Sequence, residues 1–464
     1  MKVNEIQQQD AISILSDKHA LFAEQAPDCP AWIDTKHEKV PKVFKDYEYP
    51  VSSWPVIIDP KTANTLSRMS VRLPQLIAQI PELYFGGDVK KIADFYLDGN
   101  EMLAQFALLC HNKHIEGGCR LDSTYTPDGF KVLEANIGSS IGGWQVQSFE
   151  SIIRELHAPL SNPDTAHQFR IKNTQLIYVE FLVRKILEYV PGVDKEVNVF
   201  LVGLTNELGE QAMKDSITFF NDMLVAELAK RNLTGQTFSG DIAGLKLTAD
   251  GLQLDEIPIH SVIILNLNAR EMVPPDLFRA FVMDKIYLPD HLGVPMLGDK
   301  RNLGLLRELA EKGVLTPEDR KLVMDCIPWT ATFRKGEVIY KGETQDLFPL
   351  LENNKDQFVI KPANGFRGTD VFVGKYLSQE VWKNAIHNAA TENEYIAQEF
   401  CDSVDFLAPN SEKNWTPHKL IWGSFGYGDT YGGVWVRQSS TKTDTGVINS
   451  ATGAVEAIVY ESIV

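Results

Sequence analysis

Two pairs of polar residues in the first third of the sequence have the types and spacing of a cation site. Arg120 and Asp122 are two positions apart, and so are Glu134 and Asn136. Residues two apart on a β-strand point to the same face of the sheet. Two carboxylates and an amide oxygen suit Mg²⁺, and a neighbouring guanidinium suits phosphate. These four residues therefore predict a site for magnesium and a phosphate group.

The segment between the two pairs predicts a β-hairpin that brings them together. Pro127-Asp128-Gly129 separates two short runs, Arg120–Tyr125 and Phe130–Ala135. Pro presets φ and Gly accepts a positive φ, so this tripeptide favours a tight turn between strands. The alternative is a solvated hairpin whose polar residues lie on its outer face, and spacing alone does not decide between the two.

A Gly- and Ser-rich segment, Ile137–Trp144, follows the hairpin and precedes a helix predicted at Gln147–Leu156. Backbone amides exposed at such a turn and helix start can bind an anion. A turn of this composition is by itself weak evidence, because most such turns are ordinary loops.

A lysine at the end of an apolar strand forms the second candidate site. Phe358–Lys361 precedes a loop that contains Gly365 and Gly368, and an apolar run, Val371–Val373, follows. A lysine within an apolar strand is costly unless it meets an anion, and loop glycines let amides approach phosphates. The GxxxxGK[ST] order of a Walker loop is absent. The alternative is a hairpin with one snorkelling lysine.

Two later segments are typical of antiparallel strands with polar ends. Tyr395–Phe400 carries Gln398 and Glu399, and Tyr431–Arg437 contains a Gly-Gly pair before its terminal arginine. Each segment alone favours an ordinary strand of a sheet.

In this order, the segments resemble the circularly permuted ATP-grasp enzymes, the group that includes glutathionylspermidine synthetase. In that group R-x-D and E-x-N strands precede a lysine after a small α/β domain, a K-P strand with a Gly-rich loop, a hinge strand with Gln or Glu, and a G-G-x-x-x-R strand. The matching residues are Arg120/Asp122, Glu134/Asn136, Lys300, Lys361-Pro362, Gln398-Glu399 and Gly432-Gly433 with Arg437. Ordinary ATP-grasp proteins place E-x-N near the C terminus, so its early position here indicates the permutation.

The resemblance implies an ATP-grasp fold and an ATP-dependent ligase that activates a carboxylate as an acyl phosphate and joins it to an amine. It assigns Asp122, Glu134 and Asn136 to Mg²⁺, and it assigns Arg120 and Arg437 to phosphate as catalytic residues. The residues that it assigns to ATP are Lys300, Lys361, Gly365, Gly368, Gln398 and Glu399. Lys300 stands 61 positions before Lys361, a wide gap.

The acid and the amine, either of which could be a peptide or carrier-bound, are not defined by these motifs. Two other functions remain open on the same nucleotide-binding scaffold. One is a small-molecule phosphotransferase, which would release a stable phosphorylated product. The other is a nonenzymatic nucleotide-binding module.

The rest of the chain predicts the elements that position these residues. Apolar positions at helical spacing predict helices at Ile6–Leu21, Ala63–Ile80 and Ile92–Leu109. Alternation of strands and helices from about residue 198, with strands at Val197–Val202 and Ser261–Leu267, predicts a small α/β layer with a parallel sheet. Other predicted elements are a helix at Met213–Arg231, helices at Asn302–Lys312, Pro317–Cys326 and Ser378–Ala390, and a strand at Trp54–Ile58.

The predicted class is therefore α+β with an α/β layer, in four parts. These are a helical N-terminal region (1–110), a metal-binding part of the ATP-grasp core (111–170), a small α/β subdomain (171–300) and a nucleotide-binding part (301–464).

Composition limits the class of partner. A chain of 464 residues with 44% hydrophobic and 23% charged residues is typical of a soluble globular protein with several subdomains. The net charge of −17 disfavours nonspecific binding to nucleic acid or an anionic membrane. Five scattered cysteines without a CxxC pair, no visible secretory signal and no apolar run long enough to span a bilayer favour a reducing, cytoplasmic location. Small molecules are the expected partners, and the oligomeric state is not predicted.

Overall fold

The computed structural model describes residues 12–25, 28–203, 210–265, 273–364, 370–392, 394–441, 448, 450 and 453–463. Over these residues the strands are β1 (Val56–Ile58), β2 (Gly118–Thr126), β3 (Gly129–Ile137), β4 (Phe169–Arg170), β5 (Val199–Val202), β6 (Thr237–Ser239), β7 (Lys246–Leu247), β8 (Leu252–Leu254), β9 (Ile257–Ile259), β10 (Ser261–Ile264), β11 (Thr330–Thr332), β12 (Glu337–Tyr340), β13 (Glu343–Asp346), β14 (Phe358–Pro362), β15 (Phe372–Val373), β16 (Tyr395–Glu399), β17 (Phe406–Pro409), β18 (Trp415–Tyr427), β19 (Thr430–Ser440) and β20 (Val455–Ser462).

The helices are α1 (His19–Gln25), α2 (Pro60–Ile77), α3 (Ile80–Leu83), α4 (Val89–Tyr96), α5 (Glu101–His111), α6 (Glu150–Leu156), α7 (Ala158–Ser161), α8 (Pro163–Ala166), α9 (Thr174–Tyr189), α10 (Glu210–Ala229), α11 (Pro275–Val282), α12 (Val294–Leu297), α13 (Arg301–Glu311), α14 (Pro317–Cys326), α15 (Leu347–Asn353) and α16 (Gln379–Glu392). None of the helices in the described part of the chain is both long and apolar enough to cross a bilayer. The predicted mixed α+β class is confirmed.

An eight-stranded sheet joins distant parts of the chain. Its main path is β1-β20-β19-β18-β2-β3, with β17 paired to β18 and β4 paired to β20. The predicted hairpin, β2 and β3, is confirmed, and β18 pairs with β2 along Trp422–Tyr427. The early polar strands and the C-terminal strands therefore lie side by side.

The two faces of this sheet differ because strand residues alternate between them. One face buries Trp422, Val436 and Ala457 in a core shared with helices α2, α13 and α14. The opposite face carries Trp435 and Ile458 in a second core, and farther along the strands it carries the polar residues of the candidate site. We call this second face the polar face.

A second, four-stranded sheet has the order β11-β16-β14-β15, and its neighbouring strands are antiparallel. One core, which includes Phe358, Ile360 and Trp382, packs α15 and α16 against it. Lys361 lies on its central strand β14, opposite Ile396 of β16.

The predicted α/β layer is confirmed as a three-stranded parallel sheet, β10-β5-β6. Strands β5 and β10 are buried on both faces, as expected for parallel strands between helices, whereas β6 at the edge is partly exposed. Helices α9 and α10 pack on one side through Leu182, Val183 and Leu224.

Two predicted helices differ from the structure. The span Ile92–Leu109 is divided between α4 and α5, because Asp98 (φ 49°) and Gly99 (φ 79°) adopt left-handed conformations that end α4. The Asn100 side chain then accepts a hydrogen bond from the Leu103 amide (3.0 Å) and caps α5.

The helix predicted at Ile6–Leu21 lies partly outside the described residues. Within them the prediction is wrong for the residues before His19, because α1 begins only there. Leu15 instead forms an antiparallel bridge with Ile58. Pairing at the edge of β1 here outweighs the helical spacing of the apolar residues.

Candidate active site

A polar cleft of about 210 Å³ separates the polar face of the eight-stranded sheet from the four-stranded sheet. The predicted residues that line it are Asp122, Glu134, Lys361, Gln398, Glu399 and Arg437. The structure thus brings together residues that are more than 300 positions apart in the sequence.

Asp122 is the most tightly held charge in the cleft. Its carboxylate accepts two hydrogen bonds from Arg120, at 2.6 Å from Nε and 2.8 Å from Nη2, and a third from Arg437 Nη2 at 2.7 Å. Asp122 is only 3% exposed, so the solvated-hairpin alternative is wrong. Burial alone would raise the pKa of Asp122, but the two guanidinium groups hold that pKa below its usual range.

A β-bulge turns Glu134 toward the cleft. Asp122 lies opposite Glu134, whereas Ser123 lies opposite Val132, so Leu133 is an extra residue on β3. Val132 therefore lies in the core, while both Leu133 and Glu134 line the cleft. No sequence signal had indicated this bulge.

Lys361 crosses from the four-stranded sheet to the bulge. Its ammonium donates to the Leu133 carbonyl (2.8 Å) and to Gln398 Oε1 (2.9 Å). Lys361 is 8% exposed, which excludes the snorkelling alternative. Burial lowers the pKa of Lys361 to about 8, and the nearby Lys300 acts in the same direction against Glu134. The Lys361 side chain thus links the two sheets across the cleft.

Lys300 lies beside Lys361 despite the wide sequence gap. Its Nζ is 3.5 Å from Glu134 Oε2, and its backbone amide donates to the Ala363 carbonyl (3.0 Å). Lys300 immediately precedes α13, and Asp299 before it forms a bidentate ion pair with Arg301. The start of α13 therefore fixes the lysine against the β14 strand.

Gln398 and Glu399 also line the cleft, on β16. The Gln398 amide donates to Thr330 Oγ1 (3.0 Å) while its oxygen accepts from Lys361, so the orientation of the amide is determined. Glu399 accepts from the Tyr340 hydroxyl at 3.0 Å. Gly365 and Gly368 lie outside the described residues.

Asn136 lies opposite Arg120 on the hairpin, with its Nδ2 3.3 Å from Glu134 Oε1. In the described ranges, no group of three His, Cys, Asp or Glu side chains is placed to hold a metal. A cation here would depend on two carboxylates and one amide. A carboxylate has about four acceptor positions, so Asp122 retains capacity beyond its three arginine bonds. The donor set fits Mg²⁺.

Glu456 is a buried carboxyl that the sequence analysis missed. It lies directly opposite Arg437 and is 2% exposed. It accepts hydrogen bonds from the hydroxyls of Tyr47 (2.6 Å) and Ser450 (2.6 Å). Burial raises the pKa of Glu456, and the two hydroxyl donors oppose that rise. A glutamate within the apolar run Val455–Tyr460 was the available signal, since a buried charge requires partners.

No family model matches the sequence. Over 133 residues the chain is 26% identical to "ATP-grasp enzyme ankG" from Aspergillus thermomutatus. The aligned stretch covers 25% of this chain and 27% of that protein. The match therefore spans little more than a quarter of the length of that relative. Among solved structures, the chain resembles a gamma-glutamylcysteine synthetase from Methylobacillus flagellatus KT, with a TM-score of 0.42 and 11% identity over 84% of this chain and 88% of that one. At this TM-score and identity, the likeness does not establish a common fold.

Proposed function

We propose that this protein is an ATP- and Mg²⁺-dependent ligase of the ATP-grasp type that joins a carboxylate to an amine through an acyl phosphate. The observation that carries the proposal is the cleft, in which Asp122 and Glu134 from one sheet face Lys361 from another. The local similarity to a protein named as an ATP-grasp enzyme supports it. The circular permutation and the four-part division of the chain belong to the same proposal.

In this scheme the side chains of the cleft bind and orient the nucleotide. Lys361 and Lys300 contact its phosphates, and Gln398 and Glu399 contact the adenine and ribose. Asp122, Glu134 and Asn136 would hold Mg²⁺, which would supply positive charge to offset that of the phosphates. The protein contributes positioning and electrostatics, and little covalent chemistry.

Arg120 and Arg437 stabilise negative charge as the γ-phosphoryl group moves. A carboxylate oxygen of the acid attacks the γ-phosphorus, and the bond to the β-phosphate oxygen breaks to release ADP. The amine then attacks the acyl carbon, phosphate leaves, and the amine loses a proton. Both arginines already contact Asp122, which fixes their guanidinium groups before substrate binds.

The test is an assay with ATP, Mg²⁺ and pooled carboxylic acids and amines, followed by mass spectrometry. A ligase releases ADP and phosphate and forms a new amide only when an acid and an amine are both present. A stable phosphorylated product would replace the proposal with a phosphotransferase. Binding of ATP without turnover of any pool would leave a nonenzymatic nucleotide-binding module.

A further inference from the structure

A second cavity, of about 540 Å³, lies beside the cleft. Its walls come from the segment 43–49, the loop 138–145 after β3, helices α9 and α10, and strands β5 and β10 of the α/β layer. We call it the aromatic cavity.

Aromatic rings in mutual contact form one wall of this cavity. Phe44 packs edge-on against Phe219 (5.1 Å between ring centroids) and Trp144 (5.8 Å). Trp144 and Phe219 stack at 6.5 Å, and Tyr47 contacts Tyr49 at 5.6 Å. Such a wall binds flat apolar groups and also attracts cations over the ring faces.

Several polar groups in the walls are already bonded within the protein. Gln175 Nε2 donates to the Trp144 carbonyl (3.0 Å), and Gln145 Oε1 accepts from the Gly143 amide (2.8 Å). The Ser216 hydroxyl donates to the Ala212 carbonyl (2.8 Å). These bonds reduce the number of polar atoms in the walls that are left to contact a ligand.

The charged side chains that line the aromatic cavity are all acidic. Asp46 and Glu48 line the cavity and are exposed. Among the lining residues that the structure describes, none is a lysine or an arginine. An anionic ligand would meet repulsion here, and a cationic one would meet attraction.

The aromatic cavity and the polar cleft share hydrogen-bonded walls. Arg120 Nη1 donates to the carbonyl of Gly142 (2.8 Å), in the loop that lines the cavity. Tyr47, a ring of the cavity, donates to Glu456, which lies opposite Arg437 of the cleft. The wall of the cavity is therefore hydrogen-bonded to Arg120 directly, and through Glu456 it reaches the strand position opposite Arg437.

We propose that the aromatic cavity binds the amine substrate, and that this substrate carries an aromatic or similarly bulky apolar group. The cavity is a binding site on its own geometry, but the role of its ligand as the amine rests on the proposed function. The shape of the rings selects the apolar group, and the two carboxylates select an ammonium over a carboxylate.

Isothermal titration of the full chain with three ligands, without ATP, tests the cavity. Phenethylamine combines a ring with an ammonium, 3-phenylpropanoate replaces the ammonium with a carboxylate, and n-butylamine lacks the ring. We expect phenethylamine to bind about 10-fold or more tightly than either of the others. Equal affinities, or tightest binding of 3-phenylpropanoate, would overturn the proposal.

Variants on α10 test whether phenethylamine binds in the aromatic cavity. Ser216→Phe fills the cavity and should weaken phenethylamine binding about 10-fold or more. Thr218→Phe introduces the same ring at an exposed position of the same helix that does not line the cavity, so it should leave binding unchanged. Phe219→Ala removes a ring and gives a second, independent loss of affinity. Unchanged binding in both cavity variants would reject the assignment.

Failure of this inference and failure of the proposed function have different signatures. Phenethylamine that binds in the cavity but is never coupled to an acid in the ATP assay would refute the ligase and keep the site. ATP-dependent coupling confined to amines without a bulky apolar group would keep the ligase and refute the cavity as the amine site.

Discussion

The polar cleft and the aromatic cavity are joined by hydrogen bonds through their walls, yet they are built on opposite principles. In the cleft, the buried carboxylate of Asp122 is neutralised by the buried Arg437 and by Arg120, which is partly buried. In the cavity, rings such as Trp144 and Phe219 form the wall, and several of the polar groups are bonded locally. Removing a single charge should therefore damage the cleft strongly, whereas the cavity should respond mainly to changes in volume.

The backbone of Gly143 packs closely against the Trp435 ring between the cleft and the cavity. Gly143 has φ 95°, and a Cβ there would lie 2.1 Å from the Trp435 ring, so only glycine fits. The contact holds the loop of the cavity against the sheet. Arg437 lies over the same ring, 5.4 Å from its centroid. Trp435 thus supports the wall of one region and a cation of the other.

The largest effect expected from the comparison is on stability. Asp122→Asn leaves the buried Arg437 and the partly buried Arg120 without their shared counter-charge, and should lower the free energy of unfolding of the nucleotide-free protein by about 3 kcal/mol or more. Urea denaturation measures the change. Asp325→Asn, in an exposed ion pair with Lys321, is the control and should change the free energy of unfolding by less than about 1 kcal/mol. Equal losses would show that burial of the Asp122 cluster has little energetic consequence.

Catalysis should be the next most sensitive property. Glu134→Gln removes a charge from the predicted metal set and should reduce turnover about 10²-fold or more, measured as ADP release with an acid and amine pair identified in the assay. Because Glu134 lies partly exposed at the bulge, the fold should be retained, as checked by circular dichroism. Full activity of a Glu134→Gln, Asn136→Ala double variant would eliminate the metal-site assignment.

A smaller loss is expected from the opposite wall of the cleft. Lys361→Met removes a charged donor and should weaken ATP binding about 10-fold, as expected for one charge-assisted hydrogen bond. Phenethylamine binding should not change, because Lys361 is not in the cavity wall. Lys383→Met, at an exposed position on α16, provides the matched control. Equal ATP affinity in both variants would remove Lys361 from the nucleotide site.

The smallest effect should occur where the two regions meet. Tyr47→Phe removes one hydrogen bond to buried Glu456 and keeps the ring, so it should destabilise the protein by about 1 kcal/mol. Tyr84→Phe, which breaks a more exposed hydrogen bond to Glu308, should cost less. Thermal unfolding of both variants measures the difference. A larger loss for Tyr84→Phe would contradict the importance of the buried carboxyl.

The sequence predicted the local elements of the cleft well. Pro127-Asp128-Gly129 specified the hairpin, because its φ preferences act within a few residues. The two-residue spacing of Arg120 and Asp122 placed them on one face, since side chains alternate along a strand. The magnesium, ATP and ligase roles of these residues remain predictions.

Other features depended on contacts between distant parts of the chain, and only the tertiary structure decided them. Lys300 reaches Glu134 because α13 begins beside β14. The extra residue at Leu133, which meets Lys361, follows from pairing in the sheet and has no signature in composition. The aromatic cavity likewise joins segments more than 150 residues apart, so no local sequence pattern could predict it. Residue types and spacing determine which chemistry is available, whereas packing determines which of those groups meet.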